Sequence, residues 1–382
     1  MKTKDLIIIT TIFLAAVLLT AEIVGFHLTG NHLLQQRTSK SQIAITKHRC
    51  TQQSTAQRAA TNDIQLRAVA EYEKACDSAF LDGMMLFTNM PISVPNAQES
   101  ADKMTVRLKE FKAQGISPIV IAEPDSDWGL IDFEEFAQGD YDEWTMSYFK
   151  RLKDNGVSAK MLGLWIPFPE PQQEVWNNST PDAFAHSVNR YFKIVRTVFP
   201  DAKTGILLDS QLGEGTDHAQ LLAYTRLVDN TLVDVAGFQG FPWYPTDEAD
   251  MRSPVVSAST FAPAYLVDEM AKSLDTKEVL INTGSFRHRK ADNGRDVTVT
   301  TDNRTTTLNS ITNEVSELRK MQYAVTVNIF AENKLDTKEG VDWSYWQIGR
   351  HDSSEHTPLF TSFVHDIKNL QGKISIYDAR EK

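Results

Sequence analysis

Glu170 stands between Pro169 and Pro171, with Trp165, Phe168 and Trp176 close by in sequence. A carboxyl group in a stiff turn can serve as a general acid, and aromatic faces grip sugar rings at small entropic cost. Other carboxylates stand at similar points. Glu123, Asp125 and Asp127 follow one apolar run, Asp209 ends another and Glu332 follows a third. Each has a plainer role open to it, capping the next helix or pairing with a nearby cation. Trp128, Trp243, Tyr244, Trp343 and Trp346 fall largely at or after strand ends rather than in helical stripes. They read as stacking platforms or as ordinary rim packing, and Trp165 and Trp243 are the preferred platforms.

These residues need a scaffold, and the chain supplies an alternating one. The run Lys160–Phe168 is apolar and bounded by turn residues, which reads as a buried parallel strand delivering Glu170 at its carboxyl end. Similar runs are Gly83–Phe87, Pro118–Ala122, Gly205–Asp209, Val233–Phe238, Val279–Thr283 and Val325–Phe330. Between and after them lie helical patterns over Asn96–Gln114, Tyr141–Asn155, Pro181–Phe199, His218–Asn230, Ser259–Leu274, Leu308–Gln322 and Leu359–Leu370. Ser179 and Thr180 are capping residues for the helix that Pro181 opens.

Such alternation predicts an α/β fold with a parallel sheet and outer helices, and the length suits a (β/α)8 TIM barrel over residues 77–382. An open doubly wound sheet is the alternative, but no glycine-rich phosphate loop follows any strand. Seven strands are visible, so an eighth lies in Ser41–Thr46 or the barrel is incomplete. The basic loop Arg287–Lys290 and the span Ala291–Thr307 read as an excursion over the barrel mouth.

The chain has 382 residues and a formal net charge of -11, which argues against a nucleic-acid partner. No cofactor or metal site is expected, because Cys50 and Cys76 form no CxxC pattern and no Cys/His cluster of zinc spacing.

Ahead of the body, Leu6–Phe26 is apolar for about 21 residues, long enough to span a bilayer. Lys2 and Lys4 favour a cytoplasmic amino terminus, which places the body outside the cytoplasm. A cleaved signal peptide is the competing reading, with Leu19 and Ala21 a poor cleavage site. Residues 1–30 are read as a transmembrane helix anchoring the cell-surface protein, and 31–76 as a polar helical stalk. Outside the cytoplasm Cys50 and Cys76 could pair or remain free thiols.

From about Gly83 to Asp366 the chain resembles glycoside hydrolase family 26, the β-mannanase-like retaining enzymes. The resemblance rests on Ile119–Pro124, Phe136–Glu143, Leu162–Trp176, Ser179–Phe184, Val233–Trp243, Phe261–Tyr265 and Val279–Phe286, in that order. It implies a barrel with Glu170 as acid/base at the end of the fourth strand. It also implies losses. The family's nucleophilic Glu, ending the seventh strand, falls on Thr283, and the Tyr that holds it falls on Phe241. A retaining mechanism needs a second carboxylate ~5–5.5 Å from the first, so the usual route does not survive intact. An inverting one would draw its base from Glu123, Asp125, Asp127, Asp209 or Glu332, ~6.5–9.5 Å away, with Asp209 and Glu332 the catalytic candidates.

Two readings follow. One is a membrane-anchored hydrolase cutting a β-linked polysaccharide or oligosaccharide with Glu170 as acid. The other is a catalytically silent barrel gripping glycan through its rim, or a surface scaffold. Glu123, Trp128, Trp165, Trp176, Trp243, Tyr244, Thr283 and Trp346 are the expected sugar contacts.

Overall fold

Short apolar runs pair in chain order into a ring. In the computed structural model the described residues are 82–91, 94–126, 129–171, 179–209, 218–239, 264–284, 288–290, 296–298, 301–330, 335–336, 341–342 and 365–377, with 44–45 and 54–55. The strands are β1 Gly83–Pro91, β2 Ser117–Ser126, β3 Leu164–Pro167 and β4 Lys203–Asp209. They continue as β5 Val235–Gln239, β6 Glu278–Gly284, β7 Ala324–Phe330 and β8 Lys373–Tyr377. Every neighbouring pair is parallel, and β8 pairs with β1, so the ring leaves no open edge. The fold is a (β/α)8 barrel.

Strand alternation builds two cores. Met85, Ile119, Ile121, Leu164, Ile166, Leu207, Val235 and Leu280 fill the lumen. Their neighbours, among them Met84, Val120, Trp165, Leu208, Phe238 and Ile281, pack outward against the helices in a larger cluster.

The helices begin and end where local chemistry dictates. The two longest in the first half are α1 Val94–Gln114 and, later, α5 Pro181–Val198. Between them lie α2 Phe133–Gln138, α3 Asp142–Asp154 and the single turn α4 Ala159–Leu162. Thr180 caps α5 by accepting from the Ala183 N–H, with Pro181 opening the first turn as the sequence suggests. Gly163, at φ 65, turns α4 into β3, and a Cβ there would lie 2.0 Å from the Pro118 carbonyl oxygen. Further helices are α6 His218–Arg226, α7 Ala264–Ser273 and α8 Thr301–Lys320.

The ring closes beneath β1 and β8. The Asp82 N–H donates to the Ile374 carbonyl at 2.8 Å, and the Ser117 N–H donates to the Asp82 carbonyl at 3.2 Å. The Asp82 carboxylate accepts from the Ile374 N–H at 2.8 Å and also from Lys368 Nζ.

Three expectations change. Ser41–Thr46 does not supply a barrel strand: Ala44–Ile45 pairs antiparallel with Ser54–Thr55 instead. The missing strand is Lys373–Tyr377, so the barrel is complete and every strand number drops by one. Glu170 therefore follows the third strand and Thr283 lies in the sixth. Within the span after Arg287, His288–Lys290 pairs with both Asp296–Thr298 and Val341–Asp342, and α8 already starts at Thr301.

Leu6–Phe26, Cys50 and Cys76 lie outside the described residues. Among the described residues no helix is long and apolar enough to cross a membrane.

Candidate functional site at the barrel mouth

The carboxyl ends of the strands bring together residues that are far apart in sequence. On one side Asp209, Gln239, Asn282, Asn328 and Ser375 form a continuous register row across β4 to β8. Gln239 and Asn282 have the parity of Val235 and Leu280, which face the lumen. Their amides are joined. Asn328 Nδ2 donates to Asn282 Oδ1 at 2.6 Å, and Asn282 Nδ2 donates to Gln239 Oε1 at 2.5 Å. Asn282 and Asn328 are fully buried, whereas Gln239 is partly exposed.

The other side carries acids. Glu123 has the lumen parity of Ile119 and Ile121 on β2 and is partly exposed. Glu170 follows β3, and Asp209 is the last residue of β4. Three adjacent strands thus end in, or run into, a carboxyl-bearing residue.

The path to Glu170 is unusual. Phe168 and Glu170 both take left-handed backbone conformations, φ 50 and φ 52. Such conformations in non-glycine residues cost of order ~1–3 kcal/mol each and persist where the surroundings impose them. Alternation along β3 would send Phe168 into the lumen after Ile166. The turn redirects it outward, where its ring lies 5.1 Å from Phe133, 5.1 Å from Phe136 and 5.5 Å from Tyr191. The backbone is held on both sides: the Phe168 N–H donates to the Ala122 carbonyl at 3.1 Å, and the Glu170 N–H to the Leu207 carbonyl at 2.9 Å. Pro169 and Pro171 are buried and Glu170 is partly exposed.

Two expected contacts are corrected. Trp165 is no sugar platform, because it is fully buried on the helix-facing side of β3. Its Nε1–H donates to the Tyr191 hydroxyl at 2.9 Å. Burial pushes that hydroxyl well above the ordinary tyrosine range, so it stays protonated and accepts. Thr283 shares the parity of Val279 and Ile281, which face the helices, and is 1% exposed. Its Oγ1 has no hydrogen-bond partner among the described residues. Asn282, not Thr283, is the lumen-facing residue near the end of that strand.

Trp128, Trp176, Trp243, Tyr244, Glu332 and Trp346 lie outside the described residues. Gln239, Asn282 and Asn328 are not among the contacts expected from the sequence. A signal was present: each is a polar residue at lumen parity within an apolar strand. Among the described residues no group of three His, Cys, Asp or Glu side chains could hold a metal ion.

No family model matches the chain, the β-mannanase-like family included, and no curated protein matches it. Solved structures do. A fungal β-1,4-galactanase structure aligns at TM-score 0.49 and 13% identity over 73% of this chain and 87% of its own. The GH53 catalytic domain of Ignisphaera aggregans aligns at 0.46 and 13% identity over 74% and 85%. An exo-β-1,4-mannosidase from Opitutaceae bacterium strain TAV5 aligns at 0.48 and 13% over 80% and 56%. At this identity the likeness concerns barrel architecture and carries no argument about chemistry.

Proposed function

We propose that this protein is a glycoside hydrolase-like barrel acting on a β-linked polysaccharide, with Glu170 as the general acid. The observation that carries the reading is the backbone at Glu170, a strained turn at the carboxyl end of a barrel strand, tied to strands on both sides. Strain of this kind gathers at functional sites, and this face of the fold is where barrels do chemistry. Asp209, on the adjacent strand end, is the partner carboxylate of choice. It would activate water in an inverting reaction or attack the anomeric carbon in a retaining one. We further place the barrel outside the cytoplasm on an anchor formed by Leu6–Phe26, from the length and flanking charge of that run.

A catalytically silent glycan receptor is the second reading. It is favoured by Asn282, an amide fully buried in the strand where the resemblance calls for a nucleophilic carboxylate.

Reducing-sugar release from mannan, glucan and xylan separates the two, with Glu170→Gln and Asp209→Asn alongside. Turnover abolished by Glu170→Gln supports the hydrolase. Binding without turnover supports the receptor, and neither on any glycan removes both.

A further inference from the structure

Gln239, Asn282 and Asn328 stand on three adjacent strands and form a hydrogen-bonded row whose sense is fixed from inside the barrel. Asn328 Nδ2 lies 3.3 Å from the sulfur of Met85 in the lumen and 2.6 Å from Asn282 Oδ1. Asn282 Nδ2 donates in turn to Gln239 Oε1 at 2.5 Å. Asn328 Oδ1 is the inner end of the row, buried and without a hydrogen-bond partner among the described residues. The reverse sense would cost more. It would press an amide oxygen against a thioether, which only accepts, and leave two N–H donors unpaired in the lumen in place of one oxygen.

The outer end is therefore a donor. Asn282 occupies the Gln239 oxygen, and Gln239 Nε2 makes no hydrogen bond to a described residue. Gln239 is the one partly exposed member of the row, at the carboxyl end of β5 and two strands from β3, which leads to Glu170. Amides linked head to tail polarise one another, which strengthens the terminal donor. A side chain gripped from behind also has less rotamer freedom to lose when a ligand arrives. Both effects suit an amide that donates to a ligand oxygen, and a saccharide offers such oxygens as hydroxyls and as ring and glycosidic ethers.

We propose that Gln239 donates a hydrogen bond to an oxygen of the bound saccharide, and that Asn282 and Asn328 are positioning residues that aim it without touching the ligand. The inference rests on the carbohydrate reading above and adds the group through which the sugar is held. The contact serves a hydrolase and a receptor alike.

The test is isothermal titration of the full chain with cellohexaose, mannohexaose and xylohexaose, using wild type, Gln239→Met, Asn282→Leu and the double variant. Gln239→Met keeps the side chain's length, removes the outward donors and changes a site that is only partly buried. It weakens binding of whichever hexaose the wild type takes by about tenfold, the worth of one neutral hydrogen bond. Asn282→Leu leaves the Gln239 amide unaimed and weakens binding by about threefold or more. In the Gln239→Met background Asn282→Leu adds nothing, because it acts only through the donor already lost. A merely structural role for Asn282 would lower affinity equally in both backgrounds. Undiminished binding by Gln239→Met would overturn the inference, and so would an Asn282→Leu effect that is the same, or absent, in both backgrounds. Either result leaves the carbohydrate reading standing. If the wild type binds none of the three hexaoses, that reading falls and takes this inference with it.

Discussion

The N–H of Glu170 donates to the carbonyl oxygen of Leu207 at 2.9 Å, carrying the pairing between β3 and β4 beyond the last residue of β3. The bond is possible because the chain first turns through left-handed Phe168, whose ring swings into the helix layer. The position of the acid is thus set by an aromatic side chain two residues before it.

That dependence is measurable. Phe168→Ala removes a fully buried ring in edge contact with three others. It should cost about 3–5 kcal/mol in urea unfolding, the range for deleting a core phenylalanine. A loss below about 1 kcal/mol would show that the ring does not anchor the turn.

Trp165→Phe distinguishes a core residue from a sugar platform. The variant leaves the buried Tyr191 hydroxyl without the donor it has at 2.9 Å. Stability should fall by about 1–3 kcal/mol while glycan affinity stays unchanged. Weakened affinity at unaltered stability would restore the platform role.

Closure of the ring should be sensitive to Asp82. Its carboxylate accepts from the Ile374 N–H and from Lys368, bracing β8 beside β1. Asp82→Ala strips these partners and should cost about 1–3 kcal/mol. Hydrogen exchange should accelerate first in β8 and β1, and uniform acceleration around the barrel would contradict a local brace.

Much of this architecture was legible beforehand, for an identifiable reason. Strands buried on both faces read as unbroken apolar runs, and seven of the eight do. Lys373–Tyr377 does not, because it alternates: Ile374 is buried against the helices and Ser375 occupies the lumen side. Missing it moved every strand number by one, though Glu170 and Thr283 stay three strands apart in the ring on either count. Trp165 misled because an apolar run does not say which residues face in. Gln239, Asn282 and Asn328 are separated by 43 and 46 positions and meet only through register. No local pattern carries that information.

An acid-side test comes from Asp102, which joins α1 to α3. Hydrogen bonds from Arg151, at 2.7 and 2.9 Å, and from Asn155, at 2.6 Å, hold its carboxyl down to about 2. A carboxyl lowered on folding stabilises above its unfolded value, and that contribution disappears as pH falls through the folded one. The gap in urea midpoint between wild type and Asp102→Asn should therefore be constant from pH 7 to about 5 and close between about 4 and 2. A gap that widens on acidification would reverse the sign.

The role of Glu170 is tested most directly by changing how much the leaving group needs a proton. Turnover of wild type and Glu170→Ala should be compared on an alkyl β-glycoside and on the 2,4-dinitrophenyl β-glycoside of whichever sugar the protein cleaves. With Glu170 as general acid, the variant loses on the order of 10²–10⁴-fold on the alkyl substrate, and far less on the dinitrophenyl one, whose phenolate departs unprotonated. Equal losses on both substrates, or none on either, would contradict the assignment.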